Sequence, residues 1–412
     1  MRPSVTLLTR SAASRKAALL ASLCAAALSA CAAIPNDGPA AQARPVAQYA
    51  ASRSLAAPVA DWPAQDWWKA YGDSQLAQRM SEALTGSPTL AQADARRRRA
   101  QALTAQAHAA ELPSLSATAG VEEVKQSYNA GIPPAFVPHG YNDAGQVGLN
   151  FNWELDFWGK NRSAVAAATS EARAAEADAA EARLVLSTNV ATAYADLARL
   201  YAERDVVERT AAAQTETSDL VAQRVANGLD TRGEQREAEA EPLQSRADLA
   251  AIDEQIALTR NRIAALLGQG PDRGLAIARP QAARLKAFGL PAELPASLVG
   301  RRPDVVAARW RAEAAVSRIK QAKAEFYPDI NLAGMIGFQS LGLGQLFASG
   351  SDIGSVGPAV TLPIFEGGRL RAGLRGAEAG SDEAVAAYDG AVTEALRQVA
   401  DVVASQRGLS AQ

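Results

Sequence analysis

From residue 147 to residue 157 the chain alternates. Val147, Leu149, Phe151, Trp153, Leu155 and Phe157 are apolar; Gly148, Asn150, Asn152, Glu154 and Asp156 between them are not. A period of two places one set on each face of a β-strand. Its length fits a membrane-crossing strand, which takes about 9–11 residues. The same pattern opens the stretch Ser114 to Tyr128, with Leu115, Ala117, Ala119 and Val121 on one face. Residues 129–143 carry Gly131, Pro133, Pro134, Pro138 and Gly140 and read as a long loop, so the two strands form a hairpin. A third strand starts at Ile330-Asn331-Leu332. After a Gly-rich loop near 341–357, a fourth carries Val356, Pro358, Val360, Leu362 and Ile364 on one face.

Between the hairpins the period changes. Asp73 to Leu84 reads as a short helix broken at Gly86-Ser87-Pro88, and Thr89 to Glu111 as a second, ended by Pro113. From Ser163 to Ala226 an Ala-rich stretch has neither Gly nor Pro. As one helix it would run for roughly 95 Å at ~1.5 Å per residue. Asn227-Gly228-Leu229-Asp230 stops it, and Asp230 or Thr231 can cap a return helix to Leu267. Pro242 should kink or divide that helix. Gly268-Gln269-Gly270-Pro271 ends it.

The order then repeats. At a constant offset, residues 88–115 match 303–330 at eight of 28 positions, among them Ala93/Ala308, Arg96/Arg311, Gln106/Gln321 and Ala107/Ala322. Gly368-Arg369-Leu370-Arg371 matches Gly159-Lys160-Asn161-Arg162. The expected class is an α+β membrane protein of duplicated helix–β-hairpin–long-helix units. The first repeat covers 61–270, with a β-hairpin at 114–158 and a long helical hairpin at 163–267. A crossover spans 271–300. The second repeat, 301–412, has its hairpin at 329–367 and the start of a long helix. The counterpart of the first copy's tip and return helix is not in the sequence, and the expectation is a C-terminally shortened chain. Four membrane strands cannot close a barrel alone, since about eight is the smallest that fills properly. Open edges are not tolerated in lipid, so other copies must complete the sheet.

The N-terminus reads as a targeting segment. Arg2, Arg10, Arg15 and Lys16 precede the apolar Ala17 to Ala27. Leu28-Ser29-Ala30-Cys31 then resembles a bacterial lipoprotein signal, with residues 1–30 removed and Cys31 acylated. Cys24 follows Leu23, a poor cleavage site. Ala32 stands where the inner-membrane retention signal of lipoproteins usually places Asp, so the resemblance implies the outer membrane. Residues 31–60, rich in Ala, Pro and Gln, read as a lipidated tether. Trp62, Trp67 and Trp68 open the ordered part, as a docking surface or, more often for such clusters, as a pin for the terminus. The run Arg96 to Arg99 points four ways on a helix and reads as a solvated face.

Composition narrows the function. The 412 residues carry a net charge of −2, which gives no electrostatic case for nucleic acid. No run of 18 apolar residues exists, a test that barrel strands escape. Two histidines, His108 and His139, lack metal-ligand spacing. Gly342-Leu343-Gly344 lacks the helix-opening context of a nucleotide loop. No catalytic set, metal site or cofactor is expected.

Leu294-Pro-Ala-Ser-Leu-Val-Gly-Arg-Arg-Pro-Asp-Val305, with 307–328 behind it, resembles the signature of TolC-like outer-membrane efflux lipoproteins of the NodT/OprM type. Leu155 to Lys160 and Leu362-Pro-Ile-Phe365 resemble the ends of their descending strands, and Arg224 to Thr231 their periplasmic tip. The resemblance covers residues 28–412. It implies a homotrimer with a 12-stranded β-barrel in the outer membrane, continuous with an α-helical barrel across the periplasm. It also implies a periplasmic adaptor, an inner-membrane RND pump, and export of drugs or other small solutes. By the same resemblance Cys31 is the lipidated residue, and Asn227, Gly228 and Leu229 form the adaptor-docking tip. Asp401 lies where such channels narrow; it would add to an acidic ring, or be a solvated helix-face Asp. The alternating residues Val147 to Phe157 would face lipid. Two other readings stay open: the channel of type I protein secretion, and a non-conducting coiled-coil outer-membrane scaffold.

Overall fold

A computed structural model describes residues 41–51, 53–56, 61–281 and 300–411. The signal segment, Cys31 and the first half of the Leu294–Val305 signature, residues 294–299, lie outside the described residues. The chain forms two compact units. In the described parts, one holds 41–44, 99–174 and 308–390, and the other holds 45–98, 175–281, 300–307 and 391–411.

The first unit contains a four-stranded antiparallel meander of β1 (Ser114–Val124), β2 (Asn142–Glu154), β3 (Asp329–Leu341) and β4 (Asp352–Thr361), in that order. Leu115 pairs with Phe151, Phe151 with Gly334, and Gly334 with Val356, so residues of the apolar alternation share one face. The strand expected over 147–157 starts earlier and stops sooner. It begins at Asn142, and Leu155 and Phe157 fall beyond Glu154. The cause is the turn that follows. The Leu155 amide makes a last bond to the Ile330 carbonyl, and the Phe157 amide then bonds to the Leu155 carbonyl. The Asp156 carboxylate accepts the Arg162 amide at 2.9 Å, which starts the next helix. Leu362 and Ile364 likewise lie past β4.

The remaining longer elements are helices. They are α1 (Ser74–Gly86), α2 (Pro88–Ala109), α3 (Lys160–Ala226), α4 (Arg232–Leu266), the short α5 (Asp272–Leu275), α6 (Pro303–Ala324) and α7 (Arg369–Ala411). The Asp73 side chain caps α1 on the Leu76 amide, and Pro88 takes the first position of α2, where its missing N–H is not needed. α3 runs 67 residues without a break. α4 passes through Pro242 undivided, so of the two expected outcomes, a kink or a division, the division does not occur. α2 and α6 each have 22 residues and each leads into a hairpin.

In the first unit a small core of Ile319, Phe326, Leu370 and Leu374 joins α6 to α7. Thr104 on α2 donates to the Ala168 carbonyl on α3 at 3.1 Å. In the second unit Leu76, Met80, Val190, Leu197, Ile263 and Leu267 bring α1, α3 and α4 together with at most 1% exposure each. Trp68 packs on this core with the Trp67 ring edge-on to it, while Trp62 lies against the Arg301 guanidinium. The tether docks where it is described. The Ala41 and Arg44 amides bond to Asp382 and Asp389 on α7, and Arg407 donates to the Ala56 carbonyl.

Candidate functional site

The sheet's two faces are chemically opposite. One carries Leu115, Val121, Leu149, Ile336, Val356 and Val360, all exposed. The other carries Thr118, Asn150 and Asn152, with an Asn150 to Thr118 hydrogen bond at 3.0 Å. A glycine pair, Gly148 opposite Gly337, lies on the polar face. A Cβ on Gly337 would stand 2.3 Å from the Val147 carbonyl oxygen and 2.6 Å from the Gly148 Cα. The β2 and β3 backbones therefore approach too closely here for any side chain, an approach only glycine permits.

Among the described residues, no strand pairs with the outer edge of β1 or of β4. The Gln339 amide bonds to Ser351, and Leu155 bonds to Ile330. Hydrogen bonding alternates along an antiparallel ladder. With this register, the outward backbone groups of β1 belong to 115, 117, 119, 121 and 123, and those of β4 to 352, 354, 356, 358 and 360. These are positions of the apolar face on both edges. A β1 edge laid antiparallel to a second copy's β4 would thus keep apolar side chains on one side. Pro358 takes an outward position, so its missing N–H interrupts no bond within the sheet.

Aromatic rings collect where strands pass into helices. Trp153 Nε1 donates to the Glu111 carbonyl at 3.0 Å and Trp158 Nε1 to the Pro328 carbonyl at 2.8 Å. Trp158 stacks on Tyr327 with centroids 4.7 Å apart. Lys160 ties β2 to β3 through Glu154 at 2.6 Å and Asp329 at 3.0 Å. Burial lowers the Lys160 pKa, but these two carboxylates outweigh it and leave the ammonium raised. The sequence pattern offered no signal for this clamp, because Asp329 is 169 residues from Lys160 in the chain.

The tip of α3 and α4 is a tight stop. Gly228 has φ 72°, the Leu229 amide bonds to the Arg224 carbonyl and the Gly228 amide to Val225, the pairing of a Schellman motif. Thr231 and Glu234 form a reciprocal capping box at the start of α4. Hydrogen bonds from Thr231, backbone and side chain, hold the Glu234 carboxyl below its usual range. Leu229 is 68% exposed. Asp401 is exposed on α7 and paired with Arg397, which also binds Glu394 at 2.6 Å. The Arg397 guanidinium, with help from Gln398, holds the Glu394 carboxyl at about 2.

His108 meets Glu111 and His139 lies against Tyr128. Arg97 and Arg98 share Asp94, as a solvated face would. Among the described residues there is no cluster of three metal-ligating side chains, and no helix is long and apolar enough to cross a membrane.

The family model "Outer membrane efflux protein" matches residues 80–269 and 294–412. The chain is 40% identical over 329 residues to the fusaric acid resistance protein FusA of Burkholderia cepacia, covering 78% of this chain and 61% of that protein. It is 33% identical over 346 residues to the multidrug resistance outer membrane protein MdtP of Escherichia coli K12, covering 82% of this chain and 71% of that one. The chain thus spans less than two thirds of the length of FusA. Its fold is similar to the crystal structure of the outer membrane protein VceC from Vibrio cholerae, with a TM-score of 0.79, 46% identity, and 85% and 83% of the two chains covered. It is also similar to the outer-membrane channel OprN, with a TM-score of 0.77, 27% identity, and 90% and 82% covered. The chain belongs to the outer membrane efflux protein family, and its place is the outer membrane.

Proposed function

We propose that the chain is the outer-membrane channel of a tripartite efflux system and passes small organic solutes outward without chemistry or a cofactor of its own. The observation that carries this reading is the sheet: apolar on one face, polar on the other, and open at both edges with matching parity. Such a sheet is unstable in lipid until its edges are paired. Three copies would supply twelve strands, with Val147, Leu149, Phe151 and Trp153 towards lipid and Asn150 and Asn152 towards the lumen. Leu155 and Phe157 would lie below the strand, near the Trp158 and Tyr327 belt.

The helical part would continue the channel through the periplasm. Asn227, Gly228 and Leu229 would dock a periplasmic adaptor, which links the channel to an inner-membrane RND pump. The exposed Leu229 gives such a partner an apolar contact. Asp401, held by Arg397, would contribute to a charged narrowing. Cys31 would carry the acyl chains. The repeat of helix, hairpin and long helix would reflect a tandem duplication. The names of FusA and MdtP support small antibiotic-like solutes as the cargo class.

Native mass spectrometry of the protein extracted from outer membranes tests the assembly. An acylated trimer is the expected result. A monomer in that membrane overturns the channel reading.

A further inference from the structure

The connection between β3 and β4 does not project from the end of the sheet; it folds back over the apolar face. Gly145 has the parity of Val147, and a Cβ there would meet Leu343 Cδ2 at 2.8 Å and Leu346 Cδ2 at 3.3 Å. Leu346 is buried in this seat, and Phe347 stacks edge-on against Phe338, also on the apolar face, at 5.6 Å. The turn is fixed by many bonds. The Gly342 amide donates to the Asp143 carbonyl at 2.6 Å and the Leu343 amide to Asp143 Oδ2 at 2.6 Å. Ser340 Oγ donates to the Gly342 carbonyl at 2.9 Å and Ser351 Oγ to the Gln345 carbonyl at 2.7 Å.

Two features separate this turn from an ordinary water-facing loop. From Gly342 to Ser351 it holds no charged residue. It also presents Phe347 at 72% and Leu343 at 41% exposure, on the side continuous with the apolar face of the sheet. Gly145 is eight residues from Trp153 along β2, or about 26 Å at ~3.3 Å per residue. The apolar band of an outer-membrane barrel is about 25 Å tall, with aromatic residues at both margins. Strands tilted by ~35–45° rise roughly 20 Å over that length, so with Trp153 at one margin the turn lies within about 5 Å of the other.

We infer that the β3–β4 turn is a lipid anchor. It sets Phe347 and Leu343 against the boundary between acyl chains and headgroups of the outer leaflet, on the outside of the barrel. The inference rests on the outer-membrane channel reading above. Uncharged aromatic and aliphatic side chains suit that boundary, as in the aromatic girdles of barrels and the Phe and Leu of interfacial helices. The fixed turn would present it without an ordering penalty when the sheet enters the membrane.

Nitroxide labels on the full chain, in vesicles of phosphatidylethanolamine and phosphatidylglycerol, test it. They are introduced singly as Glu122→Cys, Phe151→Cys, Leu343→Cys and Phe347→Cys, and the parent chain labelled in the same way gives the background of its own cysteines. Collision with oxygen reports lipid, and collision with a water-soluble nickel chelate reports water. The expected oxygen-to-nickel ratio at 347 is several-fold above that at 122 and below that at 151, with 343 resembling 347. A low ratio at 151 would overturn the channel reading itself. A high ratio at 151 with nickel reaching 343 and 347 would overturn the anchor alone. Labels at 343 and 347 closed to both reagents would mean that the turn packs on a second copy, which also overturns the anchor.

Discussion

Glu82 stands between two arginines. It receives Arg79 at 2.7 Å and Arg273 at 2.9 Å, and Arg79 is only 6% exposed. Replacing Glu82 by Gln leaves a buried guanidinium facing a neutral group. The expected loss is about 2 kcal/mol, in the range of hydrogen bonds to charged groups, and is read as a lower denaturant midpoint at unchanged slope. Asp156 makes a pH prediction. Burial raises its pKa, but the Arg162 and Asn161 amides and the Arg162 guanidinium prevail and hold it below the usual carboxylate range. A lowered carboxylate stabilises the fold fully above its unfolded pKa and loses that contribution as pH falls through the folded value. Acid unfolding followed by circular dichroism from about pH 5 to about pH 2 should therefore steepen in the parent and flatten in Asp156→Asn. Neither role could be read from the sequence. Glu82 and Arg273 meet only through the packing of α1 on α5, and Asp156 looked like one more polar residue of an alternating strand.

At the scale of elements, periodicity did most of the work. Leu149, Asn150 and Phe151 announce a two-faced strand on their own, and Gly228 announces the end of α3. What the pattern missed was the strand's limits, because Leu155 and Phe157 keep the alternation after the backbone has turned into α3. The β3–β4 turn was also missed, since its apolar residues look like any Gly-rich loop until Gly145 is seen beneath them. The tip separates stability from docking. Gly228→Ala forces a Cβ into left-handed backbone, at a cost of about 1–2 kcal/mol, and should lower the midpoint of thermal unfolding. Leu229→Asp touches an exposed side chain and should leave that midpoint unchanged. It should nevertheless raise the retention of an efflux dye in cells to the level of a strain without the channel. Normal dye efflux by a well-expressed Leu229→Asp chain would remove Leu229 from the docking surface.

For the whole molecule, the sheet has to be judged by what surrounds it. Phe151→Arg places a charge near the middle of the apolar face, at a cost of about 2–4 kcal/mol in a bilayer. Lost trimer in outer-membrane fractions is the expected result, and normal assembly would count against the lipid-facing assignment. Gly337→Val should also prevent assembly, because its Cβ has no room beside the Val147 carbonyl. Pro358 bears on how copies find each other. If copies join as proposed, each one beforehand exposes two ribbons of outward-facing amides, and the mistaken union to be avoided is like with like. Two β4 edges meeting face to face form a two-fold pair that consumes both and stops. Pro358 enters such a pair twice and withholds a donor from each side, whereas β4 against β1 contains it once. In the proposed assembly, one imino acid on the rim of the sheet would thus tilt the competition away from a dead-end dimer and towards a head-to-tail ring.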